Sequence, residues 1–266
     1  MRIASSLAYS VACSALLALA PQPAAAQSNV VDWLPKDWQV GAFVLTAPRY
    51  EGSNRYIVTG IPIIAAAGTG DGIVQVKGPD DVRVRAFSAQ GFELGPLAGW
   101  RFGRDEEESP RLQGLGDVDG GLVVGGYAAY RFGLAAAFVS YHHQVTGDDT
   151  GGIVRFGLEA KSQVQPWLTL NGTVGSTWAS NDYMNAFFSV TPEQSARSGL
   201  TSFDAEAGIK DVFVGVGADF ALDQRWTLKL MGRYTQLLGD AADSPSVERD
   251  SQLFGGVGLT YRFSIR

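Results

Sequence analysis

From Trp38 onward, apolar and polar residues of this chain alternate with a period of two over long stretches. Between Ile153 and Val164 the residues Val154, Phe156, Leu158, Ala160 and Val164 share one face of an extended strand, and Arg155, Glu159, Lys161 and Gln163 share the other. The split follows because successive side chains of a strand point to opposite sides. Trp226, Leu228, Leu230 and Tyr234 oppose Thr227, Lys229, Met231, Arg233 and Thr235 in the same way. Phe92, Leu94, Ala98, Trp100 and Phe102 oppose Glu93 and Arg101. The last stretch sets Val257, Leu259, Tyr261, Phe263 and Ile265 against Gly256, Gly258, Thr260, Arg262 and Ser264. Leucine-rich heptads of long helices are absent.

Such alternation suits a soluble sandwich or a wall between lipid and water, and the aromatics decide between them. Trp167 and Trp226 each follow a short turn, and Tyr56, Trp100, Tyr130, Tyr141, Trp178, Tyr234 and Tyr261 also sit near turn signals. A sandwich core would gather its rings at strand centres. Rings with a polar tip prefer the headgroup layer of a bilayer instead. The pattern therefore predicts a transmembrane antiparallel up-and-down β-barrel, with the apolar faces toward lipid. Glu93, Arg101, Arg155, Glu159, Lys161, Lys229 and Arg233 become candidate lumen charges, paired or wet.

Connection lengths alternate too. Short ones fall near Gly133, Gln165-Pro166 and Asp223-Gln224, whereas long polar ones cover Pro48–Arg55, Arg104–Asp119, Gly147–Gly151, Ala179–Phe203 and Gly239–Ser251. Short periplasmic turns and long outer loops are the usual arrangement. At about 9–11 residues per crossing, twelve strands are favoured, and ten or fourteen also fit. Pro96 has no amide to donate, so a bulge or kink is expected there. Long loops on a rigid barrel are where binding residues collect, which directs attention to Ala179–Phe203 and Gly239–Ser251.

The N-terminus adds compartment. Arg2, the uncharged run Leu7 to Ala20, and Ala24-Ala25-Ala26 form the pattern of a secretory signal peptide, with cleavage expected after Ala26. Residues 27–37 then read as a flexible lead-in, and 38–266 as the barrel. The single cysteine, Cys13, lies in the leader, so the expected fold uses no disulfide. A net charge of −6 argues against nucleic acid, which wants a clustered basic surface.

Candidate chemistry is sparse. His142 and His143 are the only histidines, and as strand neighbours they cannot both ligate one metal. Ser140 beside them suggests a Ser-His hydrolase pair, but no spacing advertises an orienting acid or oxyanion donor. Asp117 and Asp119 resemble half of a calcium loop without its other ligands. Asp105 to Glu108 reads as a solvated acidic loop facing divalent ions and lipopolysaccharide. Gly120-Gly121 and Gly255-Gly256 lack the lysine and helix of a phosphate loop. No catalytic, cofactor or metal residue is assigned.

Longer motifs carry a resemblance. Pro48-Arg49-Tyr50-Glu51-Gly52-Ser53, Gly114-Leu-Gly-Asp117-Val-Asp119, Ser198-Gly-Leu200 with Ala207-Gly-Ile-Lys210-Asp211-Val212, and Leu237-Leu-Gly-Asp240-Ala-Ala-Asp243-Ser-Pro245 occur in order. Together they resemble the MipA/OmpV family over nearly all of 38–266. The chain departs from similar barrels in ending Ser264-Ile265-Arg266 after Phe263. The resemblance implies an outer-membrane barrel without catalytic residues. It also implies a scaffold role like that of the family's name-giving member, thought to bring a lytic murein transglycosylase to a murein synthase. Tyr50, Gly52, Ser53, Asp117, Asp119, Lys210, Asp211, Asp240 and Asp243 become candidate loop and rim positions. A non-enzymatic scaffold set in outer-membrane lipid and lipopolysaccharide leads, ahead of a narrow small-molecule channel and a lipid-modifying enzyme.

Overall fold

The computed structural model describes residues 37–66, 73–148 and 150–264. The expected leader, nearly all of the lead-in, Ile265 and Arg266 lie outside the described residues. The strands are β1 (Asp37–Pro48), β2 (Tyr56–Ala66), β3 (Val74–Gly78), β4 (Asp81–Val84), β5 (Phe87–Ala89) and β6 (Phe92–Arg101). They continue with β7 (Gly121–Phe132), β8 (Ala135–Gln144), β9 (Gly152–Gln165), β10 (Leu168–Ala179), β11 (Gly208–Ala221), β12 (Trp226–Leu237) and β13 (Ser251–Ser264). All belong to one antiparallel sheet in the order β2-β1-β13-β12-β11-β10-β9-β8-β7-β6-β4-β3, with β5 also on β6. First and last strands pair from Asp37↔Ser264 to Thr46↔Gly255.

β4 and β5 are two parts of one interrupted strand, since Arg83 faces Leu97 whereas Phe87 faces Leu94. That gives the twelve strand positions expected. The interruption falls opposite Gly95-Pro96, where the proline has no N–H to donate, while β6 itself pairs with β7 without a register break. The kink expected at Pro96 is thus taken up by the neighbouring strand.

The two faces separate as the alternation requires. Phe92, Leu94, Trp100, Phe156, Leu158, Leu230, Tyr234, Val257 and Leu259 are exposed on the outer side. The inner side is filled over its middle and its long-connection half, whereas Lys161, Gln163 and Met231 toward the short turns are exposed. Leu97, Val123 and Tyr127 form a buried cluster, and Phe43 and Leu45 are buried from β1. Gly256 and Gly258 make room for the β1 side chains, because a Cβ at Gly258 would lie 2.5 Å from the Phe43 ring. Small barrels fill their interiors with side chains in this manner.

All five long connections leave the same ends of the strands, and they are not simply polar. The 179–203 connection, expected to be polar, contains α1 (Asn181–Phe188) and α2 (Pro192–Ser198); the last connection holds α3 (Gly239–Asp243). Ser180 caps α1 by accepting from the Tyr183 N–H. Thr191 and Gln194 form a capping box on α2, and Gly199 (φ 75°) ends it. From α1 the side chains of Tyr183, Met184, Phe187 and Phe188 are buried with Ile153, Ala205, Leu237 and Ala241. A second cluster joins Tyr50, Leu112, Leu115 and Val190. Each large side chain buried in this way contributes about 1.5–3 kcal/mol. The long loops therefore build a cap with its own core.

Candidate functional site

The family-like motifs meet in that cap. Tyr50 donates to Glu248 Oε2 at 2.9 Å and to the Ser246 carbonyl at 3.3 Å. Burial, then Glu248, hold its hydroxyl well above the usual tyrosine range. Gly52 (φ 98°) accepts from the Glu248 and Arg249 amides through its carbonyl. A Cβ there would lie 2.6 Å from the Val247 side chain. Ser53 is fully buried, and its Oγ accepts from the Arg55 amide at 3.1 Å. The first long loop is thereby fastened to the last.

Below it lies a charged latch. The Lys210 ammonium donates to the Glu51 carboxylate, and to Asp211 Oδ2 at 2.7 Å. Tyr183 of α1 donates to Glu51 Oε2 at 2.9 Å, and its ring lies 5.6 Å from Lys210 Nζ and 5.0 Å from the Arg101 guanidinium. Burial, then Glu51, raise the Tyr183 hydroxyl pKa, so it stays a donor. The latch ties the first loop, α1 and the wall strands β6 and β11 together.

Asp117 and Asp119 do not converge on a cation site. Asp117 accepts from the Glu106 amide, and Glu106 in turn accepts from the Gly114 and Gly116 amides. Asp119 donates its amide to Asp148 Oδ2. Asp240 accepts from the Glu206 amide at 2.8 Å, and Asp243 is exposed. Beside this loop Glu108 is raised above the usual carboxylate range by burial and then by Asp105. Among the described residues no three His, Cys, Asp or Glu side chains are gathered as a metal would need.

On the inner face, Glu93 accepts from Tyr127 at 2.8 Å and Gln75 at 2.6 Å, with Arg85 and Arg131 at 3.8 and 3.7 Å. Arg101 donates to Thr150 Oγ1 at 2.9 Å and to the Gly151 and His142 carbonyls. Arg155 grips Asp80 with two bonds, 3.0 and 2.7 Å, and Lys77 donates to Glu159 at 2.8 Å. Lys229 pairs with Asp219 at 2.8 Å, and Arg233 stacks 3.8 Å over Phe213. Lys161 is exposed at the short-turn end, its amide bonded to the Leu134 carbonyl. Sequence reasoning missed Lys77, Asp80, Asp81 and Arg83, whose strands are too short for alternation to show. Glu51 lies within the Pro48–Ser53 motif, where nothing in the sequence sets it apart from its neighbours.

Ser140 and His142 face inward and His143 outward. His142 Nε2 lies 2.9 Å from Ser140 Oγ, and Nδ1 3.1 Å from the Asp80 carbonyl, with the Asp80 carboxylate at 3.9 Å. A Nδ1–H bonded to that carbonyl leaves Nε2 to accept from the serine, a nucleophile-and-base geometry. Yet Ser140 is 1% and His142 0% exposed, and Arg155 occupies the Asp80 carboxylate. The arrangement leaves no place for a substrate carbonyl beside Ser140 Oγ.

A twelve-position antiparallel wall, apolar outside and filled inside over its middle and long-connection half, with short turns at one end and a packed cap at the other, defines an outer-membrane β-barrel. Within that class the chain belongs to the family described as MltA-interacting protein MipA, whose model matches residues 40–263. It is 26% identical to the MltA-interacting protein of Escherichia coli (strain K12) over 118 residues, 44% of this chain and 47% of that protein. The aligned part thus spans about half the length of that curated relative. The chain is 23% identical over 176 residues to YiaT of the same organism, whose name assigns it to the outer membrane, covering 64% of this chain and 70% of YiaT. Among solved structures it is similar to the N-terminal β-barrel domain of Pseudomonas aeruginosa OprF at 12% identity. That match covers 65% of this chain and 96% of the domain, with a TM-score of 0.28.

Proposed function

We propose that this barrel is a non-enzymatic interaction protein that docks a murein transglycosylase, and through it a murein synthase, at its short-turn end. The partner class is taken from the printed name of the relative, MltA-interacting protein. The location is taken from geometry. Murein lies beneath the outer membrane, on the side that receives the short turns. The long loops spend their apolar residues on each other, and the family-like side chains Tyr50, Lys210 and Asp211 are paired inside the cap.

The observation that carries the reading is an exposed apolar stripe on three neighbouring short turns. Leu134 is 70% exposed, Trp167 52% and Leu222 60%. These turns adjoin, since the Lys161 amide donates to the Leu134 carbonyl and the Ala221 amide to the Trp167 carbonyl. Lys161, Arg225 and Asp223 are exposed beside them, giving an apolar centre with a charged rim, as protein interfaces have. Capture of purified lytic transglycosylase by the detergent-folded barrel tests this. Leu134→Asp with Leu222→Asp should lower capture at least tenfold, while Arg197→Glu on the cap should leave it unchanged. The opposite ranking sinks the short-turn assignment, and no capture by the wild type sinks the partner class.

A further inference from the structure

We propose that the short-turn half of the interior is a blind cup that binds a carboxylate-bearing glycan–peptide, the chemistry of a murein strand end. The proposal rests on the short turns facing murein, as the function proposed above requires. Strand register lays out the wall of the cup. One inward row runs Lys161, Asn171, Gly217 and Met231 across β9 to β12. The next, nearer the short turns, runs Gln163, Thr169, Asp219 and Lys229. Lys161, Gln163, Asn171 and Met231 are exposed although they face inward, so this end of the interior is open to water. Asn171 leans over Gly217, where a Cβ would lie 2.5 Å from its Oδ1. The cup also has a floor. Deeper in, Glu159 accepts from Lys77 at 3.0 and 2.8 Å, and Arg155 grips Asp80. Leu97, Val123 and Tyr127 are buried together on the inner face. A ligand entering past the short turns is held and not passed on.

Charge sets the sign of the ligand. Lys229 is matched by Asp219, Lys77 by Glu159, and Arg262 by Asp37 at the rim. The Lys161 ammonium has no carboxylate within ion-pair distance among the described residues. Arg131, which leads into the adjoining short turn, is 51% exposed and shares Glu93 with Arg85. Part-exposed ion pairs are screened and hold each other weakly, so ligand carboxylates can take over such cations. A cleft with low-dielectric walls also focuses the field of an unmatched ammonium. Between the charges stand the neutral groups of Asn171, Gln163 and Thr169, which suit the hydroxyl and acetamido groups of a glycan. The Asn171 amide has no side-chain hydrogen bond among the described residues. A peptide segment of a partner would want a buried apolar anchor, and Met231 is the one large apolar side chain in the two rows. The lining therefore favours a glycan with peptide carboxylates.

Isothermal titration of the detergent-folded barrel with purified murein disaccharide-tetrapeptide tests the proposal, with folding checked by heat-modifiable gel migration. Wild type should bind the fragment saturably, and more weakly as salt rises. Lys161→Glu with Asn171→Asp should lower the affinity at least tenfold, and Lys161→Gln should lower it less. Amidating the peptide carboxylates of the fragment should cost a comparable factor. Leu134→Asp with Leu222→Asp should leave fragment binding unchanged, so failure of transglycosylase capture and failure of the cup are read separately. No binding by the folded wild type overturns the cup. So does a folded Lys161→Glu, Asn171→Asp variant that binds as tightly as wild type. A sugar-free acidic peptide that binds as tightly as the fragment overturns the glycan assignment in favour of a partner's acidic segment.

Discussion

The latch at the barrel mouth makes the sharpest quantitative demand on the structure. Lys210→Met keeps the apolar stem of the side chain and removes its ammonium group. The Lys210 and Asp211 side chains are 5% and 3% exposed, and Asp211 Oδ1 has no hydrogen-bond partner among the described residues. Glu51 is more open and can turn to water, but Asp211 cannot. At an effective dielectric constant of about 20, a pair of unit charges at ~4 Å is worth about 4 kcal/mol. Breaking one partner of a buried pair costs about 3–5 kcal/mol, because the remaining charge is stranded. Lys210→Met should therefore destabilise the folded barrel by about that amount. Adding Asp211→Asn removes the stranded charge, so the double variant should recover roughly 2 kcal/mol of the loss. Urea unfolding from lipid vesicles, followed by tryptophan fluorescence, reads both numbers. A Lys210→Met variant within about 1 kcal/mol of wild type would refute the latch, and so would a double variant that costs the sum of the two single changes.

Three further outcomes are expected. Leu158→Arg and Leu230→Arg, both on the exposed outer face, should each cost about 2–4 kcal/mol near the bilayer midplane. Thr227→Arg, beside the buried Thr260 at the short-turn end, should cost far less, and equal costs at all three would deny a lipid-facing wall. Gly52→Ala places a Cβ 2.6 Å from Val247 at φ 98°. It should destabilise the cap by more than about 1 kcal/mol, seen as faster proteolysis of the 238–250 loop. Glu108 has a folded-state pKa raised by burial and then by Asp105, so the folded cap holds that proton more tightly than the unfolded chain. Cap stability should then fall as pH rises from about 4, the ordinary glutamate range, through the raised value. Hydrogen exchange of the cap amides against pH measures this, and a Glu108→Gln variant with the same slope would exclude Glu108 as the cause.

What the sequence made legible is what periodicity can carry. Strands of ten or more residues with a lipid face announce themselves, and so do the inward positions Glu93, Arg101, Arg155 and Glu159 on them. Their partners were hidden for a physical reason. Asp80 sits in a turn and Lys77 on a strand of five residues, lengths at which alternation has no statistical weight. The cap was hidden differently. The Met184-to-Phe188 spacing of α1 is an apolar helix stripe, but eight residues between Ser180 and Ser189 read as loop until the other loops that bury it are in place. Tertiary packing, not local propensity, makes that helix. The same logic separates the two ends of the barrel. A loop that has spent its apolar residues on a core has little left for a partner, whereas Leu134, Trp167 and Leu222 remain exposed in turns too short to fold over them. Loop length alone pointed to the cap as the binding surface; accounting for where the apolar side chains go moves the expectation to the short turns.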